Sequence, residues 1–288
     1  MNKNNTTISN QYIQCQLGES ELAKIIDMIY QRAGIVITSQ RREMVYNRLS
    51  PRLRALKIES FSHYLQILAN SPTHSEWQLF INALTTNLTS FFREAYHFPV
   101  LAEHARQRGG AYNVWCTAAS TGEEPYSIAI TLDEALGASF TGPRVLATDI
   151  DTDVLEKARR GIYRLADINN LSPEQKKQYF LRRSDSDSPD PELEQVKVGR
   201  LLQNAVQFQQ LNLVAPQWNV PAPFDAIFCR NVMIYFNKET QLRLLNRFAK
   251  LLKPGGLLFV GHSERFNDVD SPFRLKGQSV YCLAKENV

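Results

Sequence analysis

Four short stretches of this sequence combine polar and small residues at spacings suited to holding a ligand. The first is Ala118-Ala119-Ser120-Thr121-Gly122-Glu123-Glu124-Pro125. Small residues at a strand's carboxyl end let a ligand approach the backbone closely. The dinucleotide pattern G-x-G-x-x-G is absent, and Glu123-Glu124 would repel a pyrophosphate. An acid here suits a ligand carrying positive charge, such as the ammonium of a methionine moiety; the plainer reading is a turn followed by a helix cap. The second stretch, Leu146-Ala147-Thr148-Asp149-Ile150-Asp151, puts a carboxylate where both hydroxyls of a ribose can donate to it. Either aspartate could merely cap the next helix, but Asp151 or Thr152 can do that and leave Asp149 free.

The third stretch runs from Phe224 to Phe236. Its strand ends in Arg230-Asn231, where a sheet opens, and Tyr235 falls four residues after Asn231. A buried core tyrosine is the alternative for Tyr235. The fourth, Thr86-Asn87-Leu88-Thr89-Ser90-Phe91-Phe92-Arg93-Glu94, alternates polar Asn87, Thr89 and Arg93 with apolar residues. A plain linker needs no such mixture, although a packed domain junction does.

Elements that would position these residues follow from periodicity. The first ninety residues read as helices. Ser20 caps a helix with Leu22, Ile25, Ile26, Ile29 and Tyr30 on one face, and Gly34 stops it. Further helices are expected over 39–56 and 60–69 and on the face Trp77, Phe80, Ile81, Leu84. Pro51 removes a donor and disfavours helix at Ser50, so a kink or a restart capped by Ser50 is expected there. After Gly109-Gly110 the pattern becomes strand, loop, helix. Strands are expected at 112–117, 144–148, 226–228, 257–260 and 279–284. Helices are expected from Pro125 to near Gly137, over 154–160, and on the face Leu242, Leu245, Ala249, Leu252. Such alternation requires a mostly parallel sheet covered on both faces, with the last strand antiparallel for want of a crossover. A capping box at Ser172 and Gln175 opens a short helix, and the acidic, Pro/Ser-rich 184–191 reads as mobile. With runs at 196–198 and 206–208, this forms a small β insertion. The expected domains are a flexible 1–19, a helical 20–90, and an α/β domain over 91–288 with its insertion at about 172–210.

Composition narrows the class without naming a function. The chain has 288 residues, with 33 Lys+Arg against 29 Asp+Glu for a net charge of +4, and 43% hydrophobic residues. That excludes disordered and collagen-like chains. Four dispersed cysteines with no C-x-x-C pair exclude a disulfide scaffold and suggest a reducing cytosol. The first nineteen residues carry no apolar signal-peptide core, and no apolar run approaches the ~18 residues of a membrane span. The five histidines (His63, His74, His97, His104, His262) have no spacing suited to a metal.

Together the motifs resemble the CheR family, the chemotaxis receptor glutamate methyltransferases. The strings that carry the resemblance are T-T-N-L-T-S-F-F-R-E, A-A-S-T-G-E-E-P-Y-S-I-A, A-T-D-I-D, F-D-A-I-F-C-R-N-V-M-I-Y-F and L-K-P-G-G-L-L-F-V-G-H-S-E. The likeness covers nearly the whole chain from about Leu22. It departs in the first nineteen residues, at Ser50-Pro51 and over 182–202. It implies an α/β fold in which an all-helical N-terminal domain precedes a Rossmann-like class I methyltransferase domain with an inserted β subdomain. The implied enzyme uses S-adenosylmethionine to esterify glutamates on receptor cytoplasmic helices, releasing S-adenosylhomocysteine. Carried over by motif, Asn87, Thr89, Arg93, Glu124, Asp149, Asn212, Leu213, Arg230 and Asn231 line the cofactor site, and Arg93 and Tyr235 stand at the methyl-transfer centre.

The chemistry implied is economical. A glutamate with a pKa of ~4.3 is already an anion at pH 7 and needs no base to attack a methyl sulfonium. No histidine–carboxylate pair, activated serine or metal cluster is evident in the sequence. Arg41, Arg42, Arg48, Arg52, Arg54 and Lys57 form a basic run, which is usually a solvated face. A net charge of only +4 and no interleaved aromatics argue against nucleic acid. The resemblance points instead to docking on acidic receptor helices. It also implies that the β subdomain tethers a receptor C-terminal tail peptide, as in some members, by strand addition at an exposed edge. The expected location is cytoplasmic, recruited to membrane receptors without insertion. The competing classes are a methyltransferase for RNA or a small molecule, weakened by the missing N/D-P-P-Y motif, and a catalytically silent receptor-binding module.

Overall fold

The computed structural model describes residues 15–137, 144–182, 194–266 and 271–284. The flexibility expected for the N-terminus falls largely, and that of 184–191 entirely, outside the described residues. Two compact units are present: Met1–Gln31 with Ile37–Leu84, and Arg32–Val36 with Thr85–Val288. Residues 85–90, expected with the helical half, therefore belong to the second unit. The physical reason is bonding: Thr85 and Asn87 donate to Asp151 at 2.7 and 2.8 Å.

The helical unit is built on α1 (Glu19–Ala33), α2 (Arg42–Leu56), α3 (Phe61–Asn70) and α4 (Glu76–Leu84). Helix α1 starts one residue before Ser20, with the Leu22 amide donating to the Gly18 carbonyl, so Ser20 lies in the first turn rather than at the cap. Gly34 stops this helix with φ +70°. Helix α2 runs unbroken through Pro51, so neither a stop nor a restart occurs. Pro51 and Asn47 both lie on the exposed face, where water can replace the missing donor. The Ser50 hydroxyl turns back onto the Tyr46 carbonyl at 2.6 Å and caps nothing. Ser60 does cap α3, accepting from the His63 amide. Val45, Leu49, Leu53, Tyr64, Leu68 and Phe80 form the buried interior of this unit.

The second unit carries a seven-stranded sheet: β1 (Val114–Cys116), β2 (Val145–Asp149), β6 (Val206–Gln210), β7 (Phe224–Cys229), β8 (Leu252–Val260), β9 (Phe273–Gly277) and β10 (Val280–Leu283). Their order is β6-β2-β1-β7-β8-β10-β9. All pairs up to β8 are parallel, and β10 is antiparallel to both neighbours, as expected for the last strand. Strand residues alternate between two cores, as period-two geometry requires. Val114 and Cys116 join the core containing α5 (His97–Arg108) and α6 (Glu123–Leu136). Trp115 faces the other core, with Phe224 and Phe248, on which α10 (Lys238–Ala249) packs. Of the expected face of α10, Leu245 is buried and Ala249 packs against the same core, but Leu244 and Phe248 are buried in place of Leu242, and Leu252 belongs to β8. Helix α7 (Thr152–Arg160) follows β2. Helix α5 and strand β9 were not anticipated from the sequence.

A three-stranded antiparallel sheet is inserted between β2 and β6: β3 (Ile162–Arg164), β5 (Gln195–Val198) and β4 (Phe180–Arg182), in the order β3-β5-β4. Helices α8 (Pro173–Tyr179) and α9 (Arg200–Ala205) flank β4 and β5 in the chain. The insertion thus starts at 162, earlier than the expected 172. Val206–Gln210 lies outside it: this strand pairs in parallel with β2 from Val145↔Val206 to Asp149↔Gln210 and extends the main sheet. The two ends of the insertion meet, because Ile162 pairs with Lys197 and the Val198 amide donates to the Gly161 carbonyl at 2.8 Å.

Candidate active site

Strand β1 has β2 on one side and β7 on the other, so the chain reverses its direction of build-up there. Ligands of open α/β sheets bind beyond the strand carboxyl ends at such a switch point. Three of the four motifs stand there: Ser120–Glu124 after β1, Asp149 ending β2, and Arg230-Asn231 after β7.

The fourth motif is tied to the same place. Asn87 donates to Asp151 Oδ2, and its carbonyl accepts from the Ser120 hydroxyl at 2.9 Å. Asp151 also caps α7, accepting from the Asp153 and Val154 amides. Capping is therefore done by Asp151, and Asp149 is used differently. Its two oxygens accept from the Ser120 amide at 2.8 Å and the Asp151 amide at 3.0 Å. Burial pushes the Asp149 carboxyl up to about 6 despite these two donors. A carboxylate held by backbone amides alone keeps lone pairs for further donors.

Glu124, in the first turn of α6, is buried. Its Oε2 accepts from Arg230 Nη1 at 2.7 Å and its Oε1 from the Cys116 thiol at 3.3 Å. Burial raises its carboxyl pKa, and the Arg230 charge opposes the rise. Arg230 also donates to the Arg93 carbonyl and lies 3.3 Å from Glu94. Glu94 accepts further from His262 at 2.9 Å and from the Asn231 side chain at 3.3 Å. Burial works against the Glu94 charge, but His262, Arg230 and Asn231 outweigh it and hold the carboxyl down to about 2. Arg230 Nε is buried with no acceptor among the described residues. Phe92, Glu94, Ser120 and Asn231 all have left-handed backbones, with φ from +46° to +56°. Such strain in non-glycine residues gathers where a site is held in place.

Other expected residues are placed less directly. The Arg93 guanidinium folds back on the Leu88 carbonyl at 2.9 Å, and Thr89 is half-buried on that segment. Tyr235 ends the short Met233–Tyr235 turn, and its carbonyl accepts from the Val36 amide. Asn212 spends its side chain on the Arg32 carbonyl and the Val214 amide, while Leu213 packs into the core with Trp115. Sequence reasoning missed Glu94, Asp151 as a bonded partner of Asn87, and Glu264, whose buried carboxylate collects the amides of Gly261, Asn231 and Met233. Glu264 follows the carboxyl end of β8, and that position is the signal which could have pointed to it. No group of three or more His, Cys, Asp or Glu placed to hold a metal occurs among the described residues.

The basic run of the helical unit does not form one free face. Arg52 is bidentate to the buried Glu76 at 2.9 and 2.7 Å, Arg48 donates to the Leu84 carbonyl, and Arg42 pairs with Glu19. Arg41, Arg54 and Lys57 are exposed. Arg41 precedes α2 in a short 3-10 turn, while Arg48 and Arg52 lie on α2 itself.

The donor set fits S-adenosylmethionine. Asp149 retains acceptors for a diol, Glu124 is an acid for an ammonium, and Arg230 keeps a buried N–H for an anion. Comparison with known proteins agrees. The family model "CheR methyltransferase, SAM binding domain" matches residues 87–282, and "CheR methyltransferase, all-alpha domain" matches 20–85. A "Chemotaxis protein methyltransferase" of Klebsiella aerogenes is 59% identical over 270 residues, covering 94% of this chain and 91% of that protein. One of Escherichia coli is 55% identical, covering 94% and 93%. "Chemotaxis protein methyltransferase 2" of Pseudomonas aeruginosa is 47% identical over 92% and 93%. Among solved structures, a glycopeptide N-methyltransferase complexed with sinefungin has a TM-score of 0.36 at 15% identity, over 60% of this chain and 50% of that one. A helical N-terminal unit joined to a methyltransferase sheet, with relatives of this identity along almost its whole length, means that this chain belongs to the CheR methyltransferase family.

Proposed function

We propose that this protein transfers the methyl group of S-adenosylmethionine to glutamate side chains on the cytoplasmic helices of chemotaxis receptors, forming methyl esters and S-adenosylhomocysteine. The observation that carries this reading is the buried Glu124–Arg230–Glu94 cluster beside Asp149 at the carboxyl ends of β1, β2 and β7. Asp149 accepts the ribose hydroxyls, and Glu124 faces the ammonium. Arg230 balances the buried acids and, through Nε, offers a donor to the methionine carboxylate. Asn87, Thr89 and Asn231 are assigned to the same site, and Asn212 and Leu213, whose carbonyls already accept from Ala215, Trp218 and Arg247, are assigned to the adenine through their amides.

Bound S-adenosylmethionine supplies a methyl on a sulfonium, an electrophile that needs no metal or base. The protein's own work is to hold the acceptor carboxylate in line and to keep water away. Arg93 and Tyr235 are assigned to orient that carboxylate. A hydrogen bond suits the task better than a tight ion pair, which would blunt the nucleophile. Arg93 already gives one N–H to Leu88, so its remaining donors are aimed by a fixed loop. Exposed Arg41, Arg54 and Lys57 supply a basic docking face for acidic receptor helices, while Arg42, Arg48 and Arg52 support the helical unit that carries it. Among the described residues β3 and β4 are the edge strands of the inserted sheet, and tail-peptide capture would use one of them.

The test is incubation with methyl-labelled S-adenosylmethionine and receptor-containing membranes. Label released by base as methanol supports the carboxyl ester; base-stable label means another acceptor, and no label means a silent module. Full activity in both Arg93→Ala and Tyr235→Phe would remove those two residues from the centre.

A further inference from the structure

Strand β8 contributes no group to the cofactor contacts proposed above, yet the loop after it is tightly engaged with the loop after β7. Glu264 is 4% exposed, and its carboxylate accepts three backbone amides. Oε2 takes Gly261 at 2.6 Å and Asn231 at 3.0 Å, and Oε1 takes Met233 at 2.8 Å. The Ile234 amide opposes the rise in its pKa along with these three, although burial prevails. A buried charge is tolerable only when bonded in this way, and it then fixes whatever bonds to it.

What it fixes is the segment from Asn231 to Tyr235. Asn231 has φ +56°, a left-handed conformation that asparagine tolerates better than most residues and that its bonded neighbours hold in place here. Its amide is held by Glu264 and its side chain by Glu94. Met233 opens the turn that ends at Tyr235, and its amide bond to Glu264 sets where that turn begins. Gly261 allows the approach: a Cβ there would lie 2.4 Å from Asn231 Nδ2 and 3.0 Å from its amide nitrogen.

We infer that Glu264 is a positioning residue for methyl transfer, acting from the loop after β8 by holding Asn231 and the turn that presents Tyr235. The inference rests on the reading that Tyr235 works at the transfer centre. It predicts a specific pattern of loss. Glu264→Gln keeps the size but exchanges one accepting oxygen for an amide that cannot accept, so the loop shifts while the Asp149 and Glu124 contacts remain. A misplacement of about 1 Å at a reacting group costs roughly ten- to a hundredfold in rate.

The experiment is a double-mutant cycle with Glu264→Gln and Tyr235→Phe, measuring kcat on receptor membranes and the Kd for S-adenosylmethionine. Glu264→Gln alone is expected to lower kcat at least about tenfold with Kd changed less than about threefold. In the Tyr235→Phe background it should lower kcat further by less than about twofold, because the group it positions is already gone. An equal loss in both backgrounds, or an unchanged kcat, overturns the inference. If Glu264→Gln is not recovered folded, Glu264→Asp, which keeps the charge and shortens the reach, runs through the same cycle with the same criteria. A fully active Tyr235→Phe shows, without any Glu264 variant, that the parent reading has failed, and the inference falls with it.

Discussion

Two regions of the molecule pair an arginine with a buried glutamate and use the pair differently. In the helical unit Arg52 meets Glu76 through two bonds, and the Tyr64 hydroxyl donates a third at 2.9 Å. The three side chains satisfy one another. Beyond the sheet, Arg230 stands between Glu124 and Glu94 and also reaches the Arg93 carbonyl. There Nε is left with no acceptor among the described residues, and the neighbouring Asp149 has donors only from backbone. Burial and ion pairing are common to both regions and mark neither as functional. Unused bonding capacity at the carboxyl ends of parallel strands distinguishes the second.

The comparison can be broken by experiment. Arg230→Ala leaves two buried carboxylates without their cation; removing one partner of a buried pair costs about 3–5 kcal/mol. Affinity for S-adenosylmethionine should also fall by at least about a hundredfold, since roughly 1.4 kcal/mol accounts for each tenfold. Urea denaturation and calorimetric titration measure the two losses, and an unchanged cofactor affinity would make Arg230 a structural residue like Arg52. Arg52→Ala should instead cost about 2–4 kcal/mol in stability while leaving cofactor affinity within about twofold. A large loss of affinity there would erase the distinction.

Asp149→Asn sharpens the contrast within the sheet unit. Losing charged acceptors for the ribose hydroxyls should weaken cofactor binding about tenfold, since hydrogen bonds to a charged group contribute roughly 1.5–3 kcal/mol. Its pH dependence is more diagnostic. The folded carboxyl titrates near 6, above its unfolded value of about 4. The folded state therefore binds the extra proton, and this group's contribution to stability falls as pH rises from about 4 to about 6. Donors from the ribose favour the ionised form, so cofactor affinity should rise through the same window in the native protein. Asp149→Asn should abolish that step, as titration at pH 5, 6 and 7 would show. The smallest effect is expected at the helical surface: Arg54→Glu with Lys57→Glu should raise KM for receptor membranes about three- to fivefold and flatten its salt dependence, without altering kcat.

Local signals in the sequence had clear physical bases, and the structure bears many of them out. Gly34 and Gly137 end helices, Ser172 caps one, and Asp151 frees Asp149. What could not be read was non-local. Val196–Val198 and Val206–Phe208 look alike as short apolar runs, but one pairs within the insertion and the other joins β2. Nothing in their composition encodes a partner some sixty residues away. Strand β9 exposes four of its five residues, so it lacks the apolar alternation that betrays a half-buried strand. At the site, the motifs marked Glu124, Asp149 and Arg230 by position after strands. Glu94 and Glu264 escaped because their role depends on left-handed turns at Phe92, Glu94 and Asn231, of which only Asn231 is a residue type that favours the conformation. The basic run failed as a unified face for the opposite reason: charge can be counted in sequence, but whether each arginine turns inward depends on a carbonyl or a glutamate elsewhere.

The meeting of the insertion's two ends has an evolutionary consequence. A segment that leaves and re-enters at adjacent hydrogen-bonded residues, Gly161 and Val198, is topologically a long loop, and loop length is thermodynamically cheap to change. Such a segment can be exchanged, lengthened or trimmed during descent while the sheet beneath keeps its register. The seam sets conditions. The Tyr163 hydroxyl, on the first strand inside it, donates to the Thr121 carbonyl at 2.7 Å, next to the glutamates of α6, and the Tyr179 hydroxyl donates to Asp133 of the same helix at 2.8 Å. Graftable recognition modules are therefore available to this scaffold, provided each newcomer restores these struts and the apolar contacts that Tyr163, Phe180, Val196 and Val198 make with the main core.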